Sequence, residues 1–337
     1  MEKRLKIRTL SICLIILFIN ACSSSDKKST NKEDILQSRP FGLITDSIRH
    51  FPQQATLYLE RAQLLSQNNL HELALEDYKK AWELKPEERT AIQYASNLSI
   101  TNKLNEELSF LQTCIEKFPE NREIKRILSE VYVQSGKSSE AISLYDNMLK
   151  NNPADFEAWY EKGILYAELK DTAKAIEALN NAFSLQPTST YALELAHLYA
   201  ETSDSRALSI CDQVILSDSA QELLDPFFIK GIYYANTRQY EMATIQFDSC
   251  IKRDWKFTQA YIEKGIAFFK QDNYDVAMNT FRMAATVSNT DPDAYFWIGR
   301  CYEAIHNKGE AIQYYQRALA LDRNFTEAKE AIKRLGS

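Results

Sequence analysis

Along most of the chain, apolar residues recur at helical spacing in paired blocks. Trp159, Leu165, Tyr166 and Leu169 form one such set, and Ala175, Ile176, Leu179, Ala182 and Phe183 form the next. Prolines mark the beat of these pairs: Pro52, Pro86, Pro119, Pro153 and Pro187 lie 34, 33, 34 and 34 residues apart. Where the prolines lapse, glycines continue it, with Gly163, Gly231, Gly265 and Gly299 separated by 68, 34 and 34 residues. Each period is therefore a helix pair, and a helix pair buries its apolar face only by stacking on copies of itself.

Ahead of the repeats the pattern changes. Lys3, Arg4, Lys6 and Arg8 precede an apolar run from Leu10 to Ile19, which as a helix would rise only about 15 Å and so is too short for a stable membrane span. Ile19-Asn20-Ala21-Cys22 follows and resembles the lipobox of bacterial lipoproteins, with Asn20 a mild departure. That resemblance implies a signal peptide over 1–21, cleavage before Cys22 and a covalent lipid on its thiol. No other cofactor is expected. It also implies a lipid-anchored place in the bacterial cell envelope, and Ser23 after the cysteine points to the outer membrane, on either face. Residues 22–34 (CSSSDKKSTNKED) read as the lipidated cysteine and a flexible tether.

The repeats resemble the tetratricopeptide repeat (TPR). Its 34-residue pattern sets an aromatic at position 4, small residues at 8, 20 and 27, large apolar ones at 11 and 24, and proline at 32. Phe156 to Ser189 fits best, through Trp159, Gly163, Tyr166, Ala175, Leu179, Ala182 and Pro187. Eight units begin near Ala55, Glu88, Arg122, Phe156, Ser189, Leu224, Thr258 and Pro292. Position 20 is alanine in all but the second, which has Glu107. The expected fold is all-α, a right-handed superhelical α-solenoid of eight helix-turn-helix repeats over 55–325. A degenerate helical cap over 35–54 and a capping helix over 326–337 close its ends. One residue missing between Ala196 and Ala207, and two extra before Phe227, predict a local kink.

Chemistry is sparse. The 8 glycines in 337 residues are about a third of ordinary usage, which disfavours loop-rich cofactor-binding enzymes. The formal net charge of −6 becomes more negative once residues 1–21 are removed, giving no field for nucleic acid. His50, His71, His197 and His306 stand apart from one another and from cysteine, so no metal site is expected. Cys114, Cys211, Cys250 and Cys301 fall at core positions and read as buried thiols, with Cys211 and Cys250 the pair close enough in the repeat to check. No nucleophile, phosphate-loop or zinc motif occurs, so the chain is not expected to be an enzyme.

The informative surface is the wall that, in the family, helix-A positions 2, 5, 9, 12 and 13 line. From the fourth unit onward it gives Tyr160, Ile164, Leu193, His197, Phe228, Ile232, Ile262, Ile266, Phe269, Phe296 and Arg300. The first three units offer the more polar Leu59, Gln63, Ile92, Ser96, Arg126 and Glu130. The apolar stripe is read as a groove for an extended peptide or amphipathic helix, with a surface packed against the next repeat as the alternative. Flanking acids, among them Glu157, Glu168, Glu201 and Asp225, favour an apolar and basic partner. The Lys-Asn clamp that the family uses on acidic chaperone tails is missing. The expected function is a membrane-anchored protein-interaction scaffold. A glycan-binding lipoprotein is the alternative, although the units carry no long inserted loop.

Overall fold

The computed structural model describes residues 31–220 and 222–336. The expected signal peptide, Cys22 and most of the tether lie outside the described residues. Among the described residues there are nineteen helices and no strand. The chain divides into two compact units between Lys103 and Leu104, that is, between the two helices of the second repeat.

The first unit holds α1 (Lys32–Gln37), α2 (Gly42–His50), α3 (Ala55–Gln67), α4 (His71–Leu84) and α5 (Glu88–Ile100). The expected cap is thus two helices, the first beginning inside the polar stretch that reads as tether. Thr45 on α2 donates to the Leu36 carbonyl at 2.7 Å and fastens the two together.

The second unit runs α6 (Leu104–Lys117), α7 (Arg122–Gln134), α8 (Ser138–Asn151), α9 (Phe156–Glu168), α10 (Thr172–Leu185), α11 (Ser189–Glu201), α12 (Arg206–Ser217), α13 (Asp225–Asn236), α14 (Tyr240–Arg253), α15 (Thr258–Phe269), α16 (Tyr274–Val287), α17 (Pro292–Ala304), α18 (Lys308–Leu321) and α19 (Thr326–Gly336). Apart from α5 and α6, which the boundary separates, the repeat helices of each unit stack as pairs, the arrangement of an α-solenoid.

Small residues set the spacing within each pair. Ala74, Ala141, Ala175, Ala207, Ala243, Ala277 and Ala311 have no exposed surface. A Cβ on Gly231 would lie 2.4 Å from Cε1 of Phe247, and one on Gly163 would lie 2.7 Å from Cγ of Leu179. These contacts leave no room for a methyl group, which is why the glycine beat follows the repeat. Between the two helices of every pair the chain turns through one left-handed residue: Asn69, Asn102, Gly136, Lys170, Ser203, Arg238, Asp272 and His306. Only one of these eight is glycine, so the turn accepts a modest strain elsewhere.

Successive repeats of the second unit are keyed by a recurring charge pair. Lys162, Lys230 and Lys264 on first helices reach Asp146, Asp212 and Asp248 on the preceding second helices at 2.5, 2.6 and 2.6 Å. Partly exposed pairs of this kind add up to about 1 kcal/mol each, and their repetition fixes register. Successive first helices also approach one another, as α11 does α13 and α15 does α17, so these helices form the inner wall and the second helices the outer one. The irregular segment is visible here. α12 is two residues shorter than most second helices, and α13 packs far more broadly on α11 than other successive first helices do. Asn236 Nδ2 on α13 reaches back to the Ala200 carbonyl of α11 at 3.1 Å.

Candidate functional site: the inner wall of the second unit

The stripe separates into two sets. Phe228, Ile262 and Phe296, all at position 5, are buried, Ile262 completely at 0% exposure. Phe228 lies 5.7 Å from Phe247 and 5.1 Å from Phe257 between ring centroids. Phe296 lies 5.4 Å from Tyr315 and 4.9 Å from Phe325. These three belong to the packed core and leave the groove reading: rings of the following helix and turn cover Phe228 and Phe296, and Ile262 lies in a buried cluster. Tyr160, Ile164, His197, Ile232, Ile266, Phe269 and Arg300 are half-buried. Tyr160 stacks on Tyr191 at 4.6 Å across α9 and α11. Arg300 lies 5.6 Å from the Phe269 ring, bringing two of the expected wall residues together. The His197 side chain is only 14% exposed, and burial lowers its pKa while Glu201, at 3.9 Å, works the other way.

Beside these residues stands a set of acids, of which Glu161 and Glu194 fall outside the expected wall positions. Glu161 on α9 and Glu194 on α11 occupy position 6, are half-buried, and make no ion pair among the described residues. Burial first, then Glu130 nearby, raises the pKa of Glu161, with Arg126 opposing. Burial first, then Asp225, raises that of Glu194. Glu130 on α7 is also raised by burial, despite its ion pair with Arg126. Glu107, buried at 2% exposure, is pushed up to about 7 by desolvation and by Glu130. Burial and like charge together mean that these carboxylates gain by meeting a cation. The sequence signal was the recurrence of glutamate at position 6, in Glu60, Glu161, Glu194 and Glu263.

The four described cysteines are free and buried, and burial pushes each thiol up to about 12. Cys250 donates to the Leu224 carbonyl at 3.5 Å, so Cys211 and Cys250 are core residues and form no disulfide. Among the described residues no cluster of histidine, cysteine or carboxylate has the makings of a metal site.

The wall is thus a ridge of half-buried aromatic and aliphatic side chains edged by unmatched carboxylates, built on stacked helix hairpins of one period. Models of the tetratricopeptide repeat match residues 55–88, 115–189 and 292–325. The protein is a tetratricopeptide-repeat protein. It is similar to the BBSome complex member BBS4 of Bos taurus, 23% identical over 222 residues, covering 65% of this chain and 42% of that one. It is also similar to the peroxisomal targeting signal receptor of Kluyveromyces lactis, 25% identical over 217 residues, covering 63% of this chain and 37% of that one. The chain therefore spans less than half of either relative. Among solved structures, a tetratricopeptide repeat protein from Parabacteroides merdae matches with a TM-score of 0.52 at 16% identity, over 84% of this chain and 99% of that one, a likeness of fold. The repeats make the chain a scaffold for protein–protein interaction.

Proposed function

We propose that this scaffold is tethered by a lipid on Cys22 to the bacterial envelope, at the outer membrane, and that it holds an apolar, basic peptide or helix along the inner wall of its second unit without catalysing a reaction. One observation carries the reading of the wall: Glu161 and Glu194 are half-buried beside Tyr160, Ile164 and Ile232, with raised pKa and no ion pair among the described residues. A cation brought by a partner relieves the repulsion, while its apolar side chains cover the rest of the ridge. The lipobox-like run ending at Cys22 supports the tether, since two or three acyl chains anchor durably where one does not. The name of the K. lactis relative, a targeting signal receptor, supports recognition of a short segment as one use of this fold.

The test compares wild type with the Ile232→Glu/Ile266→Glu variant after mild crosslinking and purification from native membranes. A partner retained by wild type, lost from the variant and weakened by salt is the expected result, with helical circular dichroism preserved. Global unfolding of the variant, or identical partners from both proteins, would remove the wall from recognition. Metabolic labelling with a fatty acid, lost in Cys22→Ser, tests the tether separately.

A further inference from the structure

The outer face of the second unit carries side chains that the repeat does not need. Trp255 stands in the turn between α14 and α15 at the position held by Pro86, Pro119, Pro153 and Pro187 in other repeats, and by Asn289 and Arg323 further along. The turn closes through Asp254, whose carboxylate accepts from the Lys256 N–H at 2.9 Å and whose carbonyl accepts from the Phe257 N–H at 3.1 Å. The indole has no part in that closure, and Trp255 is 62% exposed.

The same region holds the outward-facing Met242 and Ile245 on α14, and Val276 and Met283 on α16, all four exposed. Spacings of three and seven residues put each pair on one helix face. The corresponding positions of α8 carry Glu140, Ser143 and Asn147 instead, so apolar exposure is not a property of every outer helix.

Charge on this face is segregated. Lys252, Arg253 and Lys256 cluster around Trp255, with Arg282 exposed on α16. Lys256 lies 5.4 Å from the Trp255 ring, and Arg253 stacks on Phe227 at 3.8 Å. The acids of the two helices lie at the other end from these cations: Glu241 and Asp275 are in the first turns, next to Met242 and Val276 in the chain, and Asp248 is paired with Lys264. This local basic end interrupts a chain that is acidic as a whole.

An exposed apolar face with an indole and several cations at one end has the composition of a surface that rests in a bilayer interface. The indole sits at headgroup level, the aliphatic chains dip below it, and the cations meet phosphate. We propose that the outer face of α14 and α16, with Trp255 at its edge, docks on an anionic phospholipid surface. This contact is independent of a lipid on Cys22, because an acyl anchor enters zwitterionic and anionic bilayers alike, whereas the cationic end favours the anionic one.

The test uses the full-length protein with vesicles carrying spin-labelled acyl chains, either purely phosphatidylcholine or roughly one third phosphatidylglycerol. Trp255 fluorescence is isolated as the difference between wild type and Trp255→Phe. The expected result is strong quenching of this difference signal in the anionic vesicles and about tenfold weaker quenching, or none, in the zwitterionic ones. Lys252→Glu/Lys256→Glu should abolish the distinction while leaving helical circular dichroism unchanged. Equal signals in both vesicles, or an unquenched Trp255 in anionic vesicles, would overturn the proposal. So would lipid-free self-association that the same double variant abolishes, since the face would then belong to a second copy of the chain.

Discussion

The two units build the same helix hairpins but differ in how the polar groups of their walls are matched. In the first, buried polarity closes on itself. Arg61 donates twice to Asp77, at 2.6 and 2.8 Å, and once to Thr45 at 3.1 Å, and Thr45 in turn holds the Leu36 carbonyl. On its wall, Gln63 donates to Gln93 at 2.7 Å, and Ser66, His71 and Asn97 form a further hydrogen-bonded group. In the second unit, Glu161 and Glu194 are half-buried without an ion pair among the described residues. A wall whose groups satisfy one another has little to gain from a partner. A wall with unmatched, partly desolvated carboxylates has the affinity of a missing cation still to recover.

The sharpest way to break this contrast is to open the closed network. Arg61→Ala leaves Asp77 as an uncompensated buried charge and should lower stability by about 3–5 kcal/mol, read as a fall in the urea midpoint. Arg61→Met/Asp77→Leu removes both charges and should recover most of that loss. If the double variant is as unstable as the single one, the pair is more than a charge-matching device.

The next effect is a pH dependence confined to the second unit. Glu107 has its folded pKa raised from 4.5 to about 7. The folded state therefore holds a proton that the unfolded chain releases, and the associated stability is complete below about pH 4.5 and lost as the pH rises through about 7. The amount is on the order of 3 kcal/mol. Urea titrations from mildly acidic to mildly alkaline pH should show wild type weakening and Glu107→Gln staying flatter. An identical slope in both proteins would remove Glu107 from the account.

Much of this was legible in the sequence because a repeat makes every position testable eight times. The proline and glycine beat gave the starts of the first helices at Ala55, Glu88, Arg122, Phe156, Ser189, Thr258 and Pro292. The shortened spacing after Ala196 located the irregular α11–α13 packing. The wall was harder to read, because an apolar residue at position 5 serves a groove and an inter-repeat core equally well. What decides between them is the bulk of residues on the following helix and in the turn after it, Phe247 and Phe257 for Phe228, Tyr315 and Phe325 for Phe296. Glu161 and Glu194 showed their shared position in the sequence, but their partial burial and raised pKa depend on α7, α11 and α13 coming together. The strained turn residues were invisible for the opposite reason: seven of the eight are not glycine.

The smallest effect follows from those turns. Lys170 has φ of +62°, so Lys170→Gly relieves the side-chain penalty of the left-handed region at some cost in unfolded-chain entropy. A net gain of about 0.5 kcal/mol is expected, measurable as a small rise in melting temperature. A loss would mean that the contacts of the lysine outweigh the backbone strain.

On the proposed function, the unmatched wall of the second unit is where a partner sits. Its most direct test is site-specific photocrosslinking in living cells, with the photoreactive residue placed in turn at Ile164, at Ile266, at Gln63 on the first wall and at Ser143 on an outer helix. One protein adduct shared by Ile164 and Ile266, its crosslinked peptide apolar and basic, is expected, with none of that adduct from Gln63 or Ser143. An adduct arising only from Gln63 or Ser143, or an acidic segment captured at Ile164, would contradict it.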